Sequence, residues 1–195
     1  MLAHATKRSV PKLLDHALVT AALISAVTLL MIVAVRDSHA SELVPSIGLT
    51  RALDGSEKTK MSYGLALRTN IAPMIAAEIG ASYRKETLYA GTTEVVQWPV
   101  TASLWLKPIS ALYAGGGVGW YQTTVSYPQT ALASSTSQKF GAHLGGGLTL
   151  PLVPAVLSLD LNGRYVYLGD QASELPPRNF KADFWTTSAG LAIHF

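Results

Sequence analysis

Between residues 157 and 167 the chain reads Leu-Ser-Leu-Asp-Leu-Asn-Gly-Arg-Tyr-Val-Tyr. Leu157, Leu159, Leu161, Tyr165 and Tyr167 hold odd positions, while Ser158, Asp160, Asn162 and Arg164 hold even ones. A helix would scatter these residues around its surface; a strand sends them to opposite faces. Seven further stretches follow the same template: 43–53, which fits it least well, 61–71, 74–87, 94–107, 109–126, 138–151 and 181–195. Most exceed the ~5–6 residues of an ordinary globular strand. They match the ~9–11 residues that carry a tilted strand across a bilayer.

The links between these stretches alternate in kind. Asn70-Ile71-Ala72-Pro73, Lys107-Pro108-Ile109-Ser110 and Pro151-Leu152-Val153-Pro154 are short. Between them lie longer polar links: Asp54 to Lys60, Thr87 to Thr93, Tyr127 to Ser137 and Gly169 to Lys181. This describes an up-and-down antiparallel sheet, and eight such strands can close and abolish both edges. The predicted fold is all-β: an eight-stranded antiparallel transmembrane β-barrel over residues 41–195. Short periplasmic turns and longer extracellular loops are the asymmetry of outer-membrane barrels.

A soluble barrel has an apolar interior and a charged outside; a membrane barrel reverses this. The polar parity carries Arg68, Glu78, Arg84, Glu86, Lys107, His143, Asp160, Arg164 and His194, with mostly Gly, Ser, Thr, Ala and Asn between them. That is too little charge for a solvent face. Charged residues make up 14% of the whole chain, against about 25% in a typical soluble domain. The parity suits a lumen just wide enough for side chains to fill. Arg68, Glu78, Asp160 and Arg164 fall near mid-height, and we expect them to pair across the lumen, since an unpaired charge there is costly. Lining a thin water channel without pairing is the alternative.

The apolar parity carries Tyr63, Tyr83, Trp98, Trp120, Phe140, Tyr165, Tyr167 and Trp185. With both termini periplasmic, all eight fall toward the extracellular end. A girdle at headgroup level is where amphipathic rings settle; a soluble core gives no reason for such clustering.

Residues 1–40 are a different polymer. All 16 Gly, and the 4 Trp, 8 Tyr and 4 Phe, lie beyond residue 46. Before that come Lys7, Arg8 and Lys12, an apolar run from Ala17 to Val35, and Ser38-His39-Ala40. The order basic, apolar, small-x-small is that of a secretory signal peptide cut after Ala40. The run is also near the ~20 residues of a spanning helix, so an uncleaved anchor is the alternative. The leader carries six of the charges, which leaves 11 basic and 10 acidic residues after it. No basic cluster follows residue 12, so nucleic acid is not an expected partner. There are 0 Cys, which excludes disulfides, thiolate metal sites and Cys nucleophiles.

The run Tyr113-Ala-Gly-Gly-Gly-Val-Gly-Trp-Tyr121 resembles the glycine-rich fifth strand of small Gram-negative outer-membrane barrels. Gly141-Ala-His-Leu-Gly-Gly-Gly-Leu148 and Leu157–Leu168 look like their sixth and seventh strands, and Ala189-Gly-Leu-Ala-Ile-His-Phe195 like their terminal strand. The family is the eight-stranded outer-membrane group of OmpA, OmpX, OmpW and opacity-protein type, often called the porin family. The likeness covers about residues 43–195. It implies that Phe195, with Ile193, Leu191 and Trp185, is the signal read by the barrel-assembly machinery. It also implies export through the Sec pathway to the outer membrane, with outer-membrane lipid and lipopolysaccharide as surroundings.

No catalytic, metal or cofactor site is expected. Some eight-stranded barrels modify lipid A with Ser, His and a carboxylate. Beyond the leader the chain has only His143 and His194. His194 lies at the periplasmic end, and His143 is expected to bond a lumenal carboxylate or the backbone. Gly115-Gly116-Gly117 and Gly145-Gly146-Gly147 lack the Lys-Ser/Thr of a phosphate loop; glycine in a barrel strand permits tight curvature and close approach. The expected function is therefore that of a monomeric outer-membrane barrel with a structural or surface-interaction role. The alternatives are OmpW-like passage of small hydrophobic or amphipathic molecules and a lipid A-modifying enzyme.

Overall fold

The computed structural model describes residues 41–53, 59–88, 92–128, 134–172 and 179–195. The leader expected over residues 1–40 lies outside them. Ten strands follow in chain order: β1 (Ser41–Ala52), β2 (Lys60–Ala72), β3 (Ile75–Leu88), β4 (Thr93–Ile109), β5 (Leu112–Ser126), β6 (Ser135–Val153), β7 (Leu157–Tyr167), β8 (Asp170–Ala172), β9 (Asn179–Lys181) and β10 (Phe184–His194). Eight of them close a barrel in the order β1-β10-β7-β6-β5-β4-β3-β2. Main-chain bonds between Ser41 and Phe195, at 3.1 and 3.0 Å, finish the seam between the first and last strands.

Strand ends depart from the sequence expectation at the short turns. The turns occupy residues 73–74, 110–111 and 154–156, so β2, β4 and β6 run to Ala72, Ile109 and Val153. Each adjoining ladder is irregular just there, between Asn70 and Ala72, Leu106 and Ile109, and Pro151 and Val153. A bulge leaves residues out of the ladder, so Pro108, skipped between Leu106 and Ile109, is tolerated without an N–H to donate. Ala155 takes a φ of 61° in the last turn. The longest link, expected to be loop, carries the hairpin β8–β9. Asp183 braces its base, accepting from the Leu168 and Gly169 amides at 2.8 and 2.9 Å.

The two faces are inverted relative to a soluble protein. Leu144 is 71% exposed on the outer wall, whereas Arg68 and Glu78 are each 2% exposed inside. Ile47, Leu65, Leu104, Leu150 and Leu191 continue the exposed apolar belt. On that belt Tyr63 pairs with Tyr83, Trp120 with Phe140, and Tyr165 with Trp185. The Tyr83 ring also meets Trp98, centroids 4.7 Å apart. Tyr167 is 60% exposed beyond Tyr165. Each of these eight rings lies in the half of its strand nearer a long connection.

The inner wall holds more than small and charged residues. Trp105, Tyr113, Tyr121 and Phe184 are buried inside the barrel. The inward glycines make room for them. A methyl on Gly147 would strike the Tyr113 hydroxyl, and methyls on Gly119 and Gly141 would crowd the Tyr121 ring.

Candidate functional site: a layer of paired charges across the lumen

Residues of six strands meet at the centre of the barrel. Arg68 on β2 donates from Nε and Nη2 to Glu78 Oε2 on β3, at 3.0 and 2.8 Å. Its Nη1 reaches Asp160 Oδ2 on β7 at 2.8 Å and Glu42 Oε2 on β1 at 3.5 Å. Arg164 donates to the other oxygen of Glu78 at 2.7 Å and to Asn162 Oδ1 at 2.7 Å. Tyr113 on β5 donates to Asp160 Oδ1 at 2.8 Å, and Asn162 donates to the Tyr113 hydroxyl at 3.0 Å. Lys107 reaches Glu42 Oε1 at 3.5 Å. Three cations thus face three carboxylates. Such balance matters, because in a low-dielectric interior attraction offsets desolvation only when geometry and hydrogen bonding are good.

Aromatic faces complete the layer. The Arg68 guanidinium carbon lies 4.5 Å from the Tyr113 ring centre, and that of Arg164 lies 4.9 Å from Trp105. A delocalised, weakly hydrated guanidinium can both stack and fork, which an ammonium cannot. This explains why the two central cations are Arg and the peripheral one is Lys.

Nearer the long connections stands a second layer. Arg84 donates to Gln97 at 2.7 Å, Gln97 to Thr123 at 2.8 Å, and the guanidinium sits 3.6 Å above the Phe184 ring centre. A cavity of about 100 Å³ is lined by Glu78, Arg84, Tyr121, His143, Asn162 and Arg164. At ~30 Å³ per molecule it has room for a few waters. Beside it the β3–β4 ladder lapses: pairing stops at Ala81–Val100 and resumes at Arg84–Gln97. Pro99 lies in the gap and has no N–H to offer.

The structure therefore brings Arg68, Glu78, Asp160 and Arg164 together, and adds Glu42, Tyr113 and Asn162, which sequence reasoning did not single out. Tyr113 shares the parity of Gly115 and Gly117, a signal that could have placed it inside. Glu42 lies outside the stretch read as the first strand. Arg84 stands in the second layer, Lys107 on Glu42, and the Glu86 side chain lies outside the described residues.

His143 corrects an expectation. Its Nε2 lies 2.9 Å from the Ser103 hydroxyl, and neither a carboxylate nor the backbone takes that role. Ser103 is its cross-strand neighbour but one through Gly117, and a glycine between them leaves the side chains free to meet. His194 Nε2 likewise lies 2.9 Å from Ser158, with Glu42 Oε1 3.8 Å from Nδ1. That order imitates a hydrolytic triad, but the carboxylate is beyond hydrogen-bond reach and is held by Arg68 and Lys107. Ser158 is 5% exposed. A nucleophile must be open to a substrate carbonyl, which the burial of Ser158 opposes.

No protein-family model matches the chain, and no curated protein matches it in sequence. Solved structures do resemble it. The outer membrane protein OprG from Pseudomonas aeruginosa aligns at a TM-score of 0.58 and 15% identity, over 81% of this chain and 97% of OprG. Neisserial surface protein A aligns at 0.54 and 15%, over 80% and 96%. Ail, the attachment invasion locus protein of Yersinia pestis, solved with the heparin analogue sucrose octasulfate, aligns at 0.52 and 16%, over 80% and 98%. At these identities the likeness is one of fold: the chain is a closed eight-stranded antiparallel barrel of the kind that small outer-membrane proteins adopt.

Proposed function

We propose that this protein is an exported outer-membrane barrel, closed across its lumen, whose role is structural or lies in contacts made by its long connections. The carrying observation is the layer that joins Arg68, Glu78, Asp160, Arg164 and Glu42 from four strands. Paired charges at 2.7–2.8 Å fill the section through which a solute would pass. The exposed apolar belt and its aromatic girdle support insertion in a bilayer. Cleavage after Ala40 would leave Ser41, which already pairs with Phe195 in the seam, as the first residue. Rigid barrels commonly carry binding on their loops, and the β8–β9 hairpin, braced at its base by Asp183, is one support for it.

Conductance of the purified barrel in planar bilayers tests this reading. The wild type should show no steady open state, and Arg164→Ala should raise open events and lower stability together. A steadily conducting wild type, or an Arg164→Ala barrel unchanged in both respects, would overturn the closed lumen.

The ladder lapse at Pro99 favours a second reading, passage of small hydrophobic or amphipathic molecules through the wall. The lapse adjoins the cavity, which Ser82 and Pro99 help to line. Pro99→Val restores the missing donor. Uptake of a hydrophobic dye into vesicles should then fall if the wall is the route, and stay unchanged if it is not. Lipid A mass spectrometry, expected unchanged on expression of the protein, tests the absence of enzymatic activity.

A further inference from the structure

The outer wall is apolar almost throughout, but one part of it is hollow. Register aligns Gly146, Gly163, Thr187, Leu49 and Met61 in one rung across five neighbouring strands. The next rung toward the short turns begins Leu148, Leu161, Ala189 and Ile47. Small residues bordered by bulky ones leave a groove of about 660 Å³. Gly163 opens it: a methyl built there would meet no atom within 4 Å. At Gly115 and Gly117, by contrast, a methyl would strike main-chain oxygens. Packing within the chain therefore does not demand a glycine at 163. A void on a lipid-facing wall forfeits dispersion contacts, so in a membrane this groove will be filled.

The rung above, toward the long connections, holds Arg51, Trp185, Tyr165 and Leu144. The Trp185 and Tyr165 rings meet at a tilt, centroids 4.8 Å apart, and belong to the girdle. Arg51 is exposed on the same outer face and makes no hydrogen bond or ion pair with any described residue. A cation on the lipid face is costly except near the interface, where an anionic headgroup can meet it. The acyl-sized groove and the headgroup-level cation stand one rung apart on one wall.

We propose that this wall binds one molecule of a phosphorylated, acylated glycolipid of lipid A type. One acyl chain lies over Gly163, and Arg51 holds a phosphate as a planar fork suited to phosphate oxygens. The place of Arg51 and its rung at the long-connection end selects the outer leaflet. That choice rests on the outer-membrane reading above, since the phosphorylated lipid of that leaflet is the glycolipid.

Native mass spectrometry of the detergent-purified barrel, titrated with lipid A or with phosphatidylglycerol, tests this. The wild type should retain one lipid A. Arg51→Ala, Gly163→Leu and dephosphorylated lipid A should each weaken retention by about tenfold, the scale of one lost charge-assisted bond or one blocked contact. Gly163→Leu fills open space, so its barrel should still shift on an unboiled gel. Equal retention by Gly163→Leu, equal affinity for phosphatidylglycerol, or no bound lipid would overturn the proposal. So would a wild-type dimer that Gly163→Leu abolishes, which would assign the groove to a second copy of the chain. Failure of the outer-membrane reading shows differently, as recovery in the inner membrane with no gel shift.

Discussion

Arg68 and Glu78 are cross-strand partners on β2 and β3, and two nitrogens of the guanidinium converge on one carboxylate oxygen, at 3.0 and 2.8 Å. The pair leaves one nitrogen of Arg68 free to cross the lumen to Asp160 and one oxygen of Glu78 free to take Arg164. It is the hub on which the other charges depend. Arg68→Ala would leave Glu42, Glu78 and Asp160 facing only Arg164 and Lys107. Stranding a buried charge costs about 3–5 kcal/mol, and urea unfolding of the barrel refolded in vesicles should show a loss of that order. The exposed pair Lys85–Glu94, at 2.9 Å, is the contrast. Lys85→Ala should leave the unfolding midpoint where it was, because solvent screens such pairs.

Alternation in Leu157–Tyr167 was enough to say which side chains share a wall, and the strand ran over the expected residues. Parity is a local property, so the inward side of Arg68, Glu78, Asp160 and Arg164 could be read from each strand alone. Register is not local. Nothing in β5 by itself says that Tyr113 stands opposite Gly147, or that its hydroxyl reaches Asp160, 47 residues away. Large apolar side chains on the inner wall are harder to read. Trp105 shares its parity with Gln97, Thr101, Ser103 and Lys107, and it is fully buried in the lumen. Hydropathy alone sorts a tryptophan with the lipid face, and only its parity with these polar neighbours turns it inward. The turns slipped by two or three residues because bulges let a strand continue past a proline.

The glycines of the barrel divide by what stands against them. On Gly115 and Gly117 an added methyl would collide with the carbonyl oxygens of Leu104 and Ala102, which are fixed by the β4–β5 ladder. Gly115→Ala must push the two strands apart, and overpacking of this kind costs about 1–3 kcal/mol. Gly163→Ala meets nothing and should unfold with the wild type. Unfolding the two variants side by side checks the distinction; equal losses would mean that the inner wall is not pressed as closely as the geometry shows.

The four tryptophans report on both walls. Trp98 and Trp185 are 57% and 54% exposed, Trp120 is half-buried beside Phe140, and Trp105 is 0% exposed in the lumen. Four single-tryptophan proteins, reconstituted in lipids brominated at different depths, separate them by fluorescence quenching. Trp98, Trp120 and Trp185 should be quenched most by bromine close to the headgroups, where amphipathic rings settle. Trp105 should be quenched at no depth. Quenching of Trp105 alone would reverse the two walls.

Phe195 separates a role in assembly from a role in the folded barrel. Its main chain exchanges bonds with Ser41 at 3.0 and 3.1 Å, while the residue is 64% exposed. Phe195→Ala keeps both main-chain bonds. Exposed substitutions usually change stability by no more than about 0.5 kcal/mol, so refolding and unfolding in detergent should hardly respond. The assembly signal that the resemblance places on this ring makes a different demand. It requires that Phe195→Ala lower the amount of heat-modifiable barrel in the outer membrane of living cells. A loss in cells with none in vitro would give the ring its recognition role. Parallel losses in both would make it part of the wall and remove that role.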